Sequence, residues 1–429
     1  MSRALIPARE VLAQAVQALG EALDFRYPVD AALSGFFRKH HALGRRDRAW
    51  IAESVYGVVR RLRWLRRLTG EQSTPRQLLL AWLARGEEWT VSQFEGLASD
   101  EERCWIESLK GVELSGGSLA ERADLPDWLC ERLLATHDEE GLLQLAQSLN
   151  QPAPLDLRAN VLKLGRDAAL ARLRDSGFDA APCSWSPHGI RLAGKPALQK
   201  HPLFLDGSIE VQDEGSQILG FLVQPKSGEF IVDFCAGAGG KTLQLGAMMR
   251  NKGHLYALDV AEKRLAQLRP RIVRAGLNNV HPMLIAHERD ARLERLAGKA
   301  DRVLVDAPCS GLGTLRRNPD LKWRQTPAAI DEMVSRQRAI LEAAARLARP
   351  GGRLVYATCS LIGEENDGVI DAFLAAHPEF EALSAEDILT RQCIAPGTGE
   401  RLRLSPLTHG TDGFFAAVLM RKFFSANNF

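Results

Sequence analysis

"IVDFCAGAGGKT", residues 231–242, decides the fold. A short apolar run ends in an acid and a cysteine. A turn of alanines and glycines (236–240) follows, and then a stretch with helical character. Glycine lets the backbone approach a ligand closely, and the first turn of a helix offers N–H groups with no partner inside the helix. The stretch falls one residue short of a phosphate loop of the form G-x-x-x-x-G-K-[ST]. Gly240, Lys241 and Thr242 fit that pattern, but Cys235 stands where its first glycine belongs. "RVLVDAPCS" (302–310) places an aspartate after an apolar run, as the magnesium-binding strand of a nucleotide hydrolase does.

Outward from this turn the rhythm is strand, helix, strand. "FIVDFC", "GHLYALDV", "HPMLIA", "RVLVDA" and "RLVYATCS" are short apolar runs, with helical spacing over 240–250, 262–275 and 328–348. Such alternation predicts an open parallel sheet covered by helices on both faces, with the ligand crevice beyond the carboxyl ends of its strands. "DGFFAAVLMRKF" (412–423) reads as a final antiparallel strand. Asp259 ends the second run about 20 residues past the glycines, where an acid accepts hydrogen bonds from ribose hydroxyls. A phosphate loop needs no such residue, so a dinucleotide or S-adenosylmethionine (SAM) is the better fit. Asp290, in "HERDAR" after the third run, is a candidate for the adenine amino group, although a surface loop acid reads the same way.

Upstream, the first ~110 residues read as helical. Ile51, Val55, Val58, Val59, Leu62 and Leu65 recur at helical spacing behind Asp47, a candidate cap. "GVELSGGSL" (111–119) is a linker, and "LPDWLCERLLATH" (125–137) resumes a helix with Pro126 near its first turn. Residues 155–225 read as a small α/β unit, with "LDLRANVLKL" as its first strand. The expected domains are therefore 1–150, 151–225 and 226–429.

The 429 residues carry 55 Lys/Arg against 53 Asp/Glu, yet residues 1–70 alone hold 13 against 6. Residues 38–67 contribute ten of these basic residues and two acids. That asymmetry points to a polyanionic partner met by arginines such as Arg60, Arg61, Arg63 and Arg66, with a solvated helix face as the plainer reading. No apolar run approaches the ~18 residues of a membrane span. Seven cysteines without C-x-x-C spacing suggest reduced thiols in a cytoplasmic protein and no metal site.

Two of those cysteines carry the chemistry. "DAPCS" (306–310) and "ATCS" (357–360) each put a cysteine just past a strand of one sheet, so Cys309 and Cys359 should converge on the cofactor cleft. Neither a hydride-transfer enzyme nor a nucleotide hydrolase needs two thiols there. Methylation of a pyrimidine does. C5 of cytosine is a poor nucleophile, and attack of a thiolate at C6 makes it enamine-like; a base then removes the C5 proton and the thiol leaves. Asp306 is placed to hydrogen-bond the N3/N4 edge of the base. The plainer reading is a pair of buried structural cysteines.

"DFCAGAGGKT", "LDV", "DAPCSGLGTLRRNPDLKW" and "ATCS" together resemble the RNA cytosine-C5 methyltransferases of the RsmB/Nop2/Sun group. The match runs in order over about 155–423, with "VQDEGSQ" and "DGFF" also fitting. "RDRAWIAESVYGVVR" (46–60) resembles the NusB-like helical RNA-binding domain of the RsmB branch. The resemblance implies a class I, Rossmann-like SAM methyltransferase domain behind a small α/β subdomain and a helical NusB-like domain. It implies that Cys359 attacks C6 and that Cys309 assists product release. Cys235, Ala236, Gly237, Ala238, Gly239, Gly240, Lys241, Asp259, Asp290 and Asp306 would line the SAM and base site. The partner would be RNA, 16S rRNA in this branch, and neither DNA nor a membrane; the chain would act as a monomer. Alternatives are an inactive SAM-fold assembly factor, or tRNA as substrate. Where the family has Ala-Pro in the glycine turn, this chain has Gly237 and Ala238.

Overall fold

Ile51, Val55, Val58, Val59, Leu62 and Leu65, the stripe read at helical spacing, are fully buried in the computed structural model, which describes residues 6–114 and 116–423. The stripe spans two helices, Arg45–Arg60 and Leu62–Thr69, separated at Arg61. Asp47 is not the cap residue. It lies one turn in, and its carboxylate accepts from the Gly44 N–H at 3.2 Å, so the helix begins at Arg45. Helices Arg9–Leu23, Val29–Lys39, Pro75–Arg85 and Asp100–Lys110 complete one apolar core, which includes Leu12, Leu19, Phe36, Leu79 and Phe94.

The chain divides into two compact units, Met1–Gln151 with Leu315–Thr326, and Pro152–Thr314 with Pro327–Phe429. The helical unit therefore takes in a segment that the sequence reading assigned to the catalytic domain. A buried lysine fastens it there. Lys322 Nζ donates to the carbonyls of Arg60 (2.8 Å) and Asp124 (2.6 Å) and to Asn150 Oδ1 (3.3 Å). Trp323 Nε1 donates to Val59 O (2.8 Å), and Arg60 Nη2 to Arg316 O (3.0 Å).

This geometry corrects the reading of the arginines. Arg60 holds the inserted segment. Arg61 pairs with Asp124 at 2.8 Å and lies over the Trp64 ring. Arg63 pairs with Asp127 at 3.0 Å and donates to Leu125 O. These three hold the helical unit together, and the exposed basic residues of the segment are Arg38, Lys39, Arg45 and Arg46.

In the second unit, β1 (Leu155–Ala159), β2 (Ala180–Pro182), β3 (Gly189–Leu192) and β4 (Ile209–Val211) form an antiparallel sheet in the order β2-β3-β1-β4. β1 stops earlier than expected because Asn160 turns the chain: its side-chain oxygen accepts from Leu162 N, and its amide donates to Gly207 O and Ala275 O. The helix Glu214–Val223 leads into the large sheet. That sheet contains β5 (Phe230–Asp233), β6 (His254–Asp259), β7 (Val280–Leu284), β8 (Ala300–Asp306), β9 (Ala348–Thr358), β10 (Phe380–Leu383), β11 (Leu402–Leu404) and β12 (Phe414–Arg421). Its order is β10-β12-β9-β8-β5-β6-β7, with β11 also on β12. β5 to β9 run parallel, and β12 is antiparallel to β9. The order reverses direction at β5, which places the ligand crevice past the ends of β5 and β8.

Burial lowers the Lys322 pKa from its ordinary 10.5 to about 8, with Asp124 opposing the shift. The unfolded chain binds more protons than the native one between those values, so stability contributed by this group rises as pH climbs from about 8 to 10.5. Lys322→Met leaves buried acceptors unpartnered and should cost about 3–5 kcal/mol of stability. Urea denaturation of both proteins across that pH range checks the loss and its widening with pH.

Candidate active site

β5 ends at Asp233, and the chain turns through Phe234–Gly239 into the helix Gly240–Met248. Gly239 adopts φ +89°, and a Cβ there would lie 2.1 Å from a Leu268 methyl, so only glycine fits. Gly237 also adopts positive φ, +57°. With no proline between these glycines, side chains hold the turn from behind. Arg271 donates to Ala238 O at 2.6 Å and is itself paired with Glu210 (3.0 Å), while Arg158 donates to Gly240 O at 2.7 Å. From the front, Asp259 at the end of β6 accepts from Gly237 N and Ala261 N, both at 2.7 Å. An ionised carboxylate has about four acceptor sites, so Asp259 retains capacity for ribose hydroxyls.

The two residues a phosphate loop would spend on phosphate and magnesium are committed elsewhere. Lys241 Nζ pairs with Asp306 Oδ2 at 2.6 Å. Thr242 donates its hydroxyl to Asp233 Oδ2 at 2.6 Å. This removes the nucleotide-hydrolase reading on geometry.

Beyond the strand ends lies a cleft of about 710 Å³, within the size range of small-molecule sites. Its walls include Cys235 through Lys241, Asp259, Asp306, Cys309 and Cys359. Val260, Ile285, Met333 and Ile340 give it apolar surface, and Arg264 and Arg336 give it positive charge. Cys309 Sγ and Cys359 Sγ are 3.4 Å apart, both reduced. The Cys359 N–H also points to Cys309 Sγ, at 3.3 Å. The hydrogen bond to Cys359, burial, and the charges of Cys359 and Glu365 push the Cys309 pKa well above the ordinary thiol range. Cys309 therefore holds its proton more tightly than an ordinary thiol. The Lys241 ammonium is stabilised by both Asp306 and Cys359 although burial opposes it.

A family model described as 16S rRNA methyltransferase RsmB/F matches residues 220–420, and one for the RsmF/B-like ferredoxin-like domain matches residues 125–199. The chain is 32% identical to a probable ribosomal RNA small subunit methyltransferase B of Synechocystis, covering 91% of this chain and 95% of that protein. It is 34% identical to the ribosomal RNA small subunit methyltransferase B of Sodalis glossinidius, over 89% and 91%. The chain belongs to the RsmB/F methyltransferase family. The crystal structure of PH0851 superposes with a TM-score of 0.78 at 27% identity, covering 97% of this chain and 100% of that one. A methyltransferase homolog from Pyrococcus horikoshii gives 0.61 at 29% identity, over 72% and 100%.

As in other SAM-dependent methyltransferases, the cofactor of this RsmB/F protein is SAM, and the donor set fits it. Asp259 has acceptor capacity to offer ribose hydroxyls, the apolar walls suit a purine, and Asp233 Oδ1 is a buried acceptor with no hydrogen-bond partner among the described residues. Burial pushes Asp233 up to about 7. The sequence reading passed over Asp233, although an acid closing the first strand of such a sheet was visible in "IVDF". It also missed Arg264 and Arg336, which sit inside helical stretches with no motif around them.

Asp290 lies apart from the other candidate residues. Its carboxylate is taken up by Arg292, by Ala286 N (2.7 Å) and by Arg292 N (2.9 Å), and these bonds hold it well below the usual carboxylate range. It caps the turn Ala291–Leu296 and lines a separate hollow of about 100 Å³, outside the main cleft. Ile285 and Glu288 reach the cleft in its place.

Asp259→Ala removes both the ribose acceptor and the tie to Gly237. SAM affinity should fall by about 1.5–3 kcal/mol, the worth of hydrogen bonds to a charged group. Titration calorimetry of folded variant against wild type reads this directly, and unchanged affinity would refute the ribose assignment.

Proposed function

We propose that this protein methylates C5 of a cytosine in 16S rRNA through a covalent bond between Cys359 and C6 of the base. The observation that carries the reading is the pair of free thiols 3.4 Å apart in the wall of the cofactor cleft. The names of the relatives, which act on small-subunit ribosomal RNA, support the choice of substrate.

Bound SAM supplies an electrophilic methyl group. Asp306, an acceptor paired with Lys241, receives the N4 amino group of cytosine; uracil presents a carbonyl there, which a carboxylate repels. Cys359 attacks C6, and electron density moves to C5. As that bond forms, Cys359 no longer accepts the hydrogen bond from Cys309, the largest cause of Cys309's high proton affinity, and its charge is lost as well. C5 takes the methyl group that bound SAM would supply, the SAM sulfur keeping the electron pair, and Cys309, having passed its own proton to solvent, removes the proton from C5. The C5=C6 bond re-forms, and Cys359 leaves as thiolate.

The helical unit supplies the RNA grip through Arg38, Lys39, Arg45 and Arg46, which are exposed. Phosphate contacts of this kind position the nucleic acid without reading its sequence. Changing all four to Gln should weaken binding to unrelated RNAs alike and reduce the slope of log K against log salt by up to ~3, at ~0.7 per single-stranded phosphate contact. Fluorescence anisotropy at several salt concentrations measures both; an unchanged slope removes this surface from the proposal.

The two cysteines should fail differently. Cys359→Ala should abolish both RNA adduct and methylation while SAM still binds. Cys309→Ala should still attack and transfer methyl but release slowly, so an RNA-linked band accumulates on a denaturing gel. The reverse pattern would assign attack to Cys309. Bisulfite sequencing of 16S rRNA from a deletion strain, with and without the gene restored, locates the cytosine; an unaltered profile would sink the substrate assignment.

A further inference from the structure

Glu365 lies in a short turn, Gly363–Glu365, two residues before the helix Asp367–Ala376, and its side chain is completely buried. Its carboxylate receives four hydrogen bonds. Oε1 accepts from Ser310 N (2.8 Å) and Gln337 Nε2 (2.9 Å). Oε2 accepts from the hydroxyls of Ser310 (2.5 Å) and Ser360. The two serine hydroxyls are 3.0 Å from each other. Ser310 follows Cys309, and Ser360 follows Cys359. One carboxylate thus binds the residue after each thiol, on loops that come from different strands.

Every donor to Glu365 among the described residues is neutral. A buried carboxylate without a cation is costly, even with its lone pairs satisfied. An amide or a second serine could join the loops without that cost. The charge itself therefore has a use, and its nearest titratable neighbours show where it acts. Cys309 and Tyr356 lie within its field, and it raises the proton affinity of both. Tyr356 also donates its hydroxyl to the Glu365 carbonyl at 2.7 Å. The cations of the cleft, Lys241, Arg264 and Arg336, are on other elements, and Lys241 is paired with Asp306.

We propose that Glu365 is the positioning residue of the cysteine pair: through Ser310 and Ser360 its carboxylate sets the separation of the two loops and places a negative charge beside Cys309. This rests on the thiolate reading given above and deepens it. The serines of P-C-S and T-C-S are then the handles by which one buried group aligns both cysteines.

The test is alkylation of the full-length protein with iodoacetamide as a function of pH, each cysteine followed by mass spectrometry of its own peptide. Glu365→Gln keeps the shape and removes the charge. At pH of about 8, Cys309 in this variant should alkylate about tenfold faster than in wild type, because more of it is thiolate. Glu365→Asp keeps the charge but draws it back by one methylene, and should shift Cys309 in the same direction by less; it serves if the Gln variant does not fold. A Cys309 profile that is unchanged in a folded Glu365 variant overturns the proposal. A shifted profile in a protein whose wild type and Cys309→Ala forms never link to RNA keeps the Glu365 assignment and removes the methylation reaction instead.

Discussion

The register between β8 and β9 governs the site. Asp306 lies opposite Ala357, the last pair of a parallel ladder that also aligns Leu304 with Val355 and Val305 with Tyr356. Counted from that pair, Cys309 follows Asp306 by three residues and Cys359 follows Ala357 by two, so both thiols emerge near one level of the sheet. Successive residues of a strand face opposite sides. Leu354, Val355, Tyr356 and Ala357 are buried on both faces, so a slip of one would exchange side chains of unlike size between two packed layers. The hydrophobic core thereby fixes a sulfur–sulfur distance. The same alignment brings Asp306 to the Lys241 ammonium, which links the end of β8 to the first turn of the cofactor helix.

Sequence was a good guide wherever function follows from strand ends. The parallel strands, the glycine turn, Asp259 and both cysteines lie where the alternation of apolar runs put them, because the crevice of an open α/β sheet is dictated by topology. It was a poor guide to which charged side chains are spent inside the protein. Arg60, Arg61 and Arg63 read as a phosphate-binding surface, yet each is committed to a carbonyl or an acid more than sixty residues away. Asp290 read as a purine contact, but an arginine two residues on claims its carboxylate. No periodicity announces such partners. Glu365 had still less signal, since an acid in "IGEEND" looks like solvated surface until the two serine loops close over it.

Both units keep a buried charge where an apolar residue would be cheaper. In the helical unit Lys322 satisfies two carbonyls that helix ends leave open and the side-chain oxygen of Asn150. In the other, Glu365 satisfies an N–H, two hydroxyls and an amide. Removing either group strands several polar atoms at once, so each acts as an all-or-none fastener rather than as a graded contribution to packing. The glycine turn is held by smaller increments: two arginines behind it and one aspartate in front, in a chain that lacks the stiffening of a proline there.

The inserted segment Leu315–Thr326 has a consequence for the order in which the molecule is made. Synthesis delivers Met1–Gln151 first, but the helical unit lacks its last piece until Thr326 has been added, roughly 175 residues later. At about 5–20 residues per second this takes roughly 10–35 seconds. During that interval the carbonyls of Val59, Arg60 and Asp124 wait without the donors of Lys322 and Trp323. The nascent helices must persist with that face uncovered, and their completion is timed by the chain that carries Cys309. A gene trimmed of its first 151 codons would still encode the twelve-residue plug, with Trp323 and Lys322 and nothing to receive them.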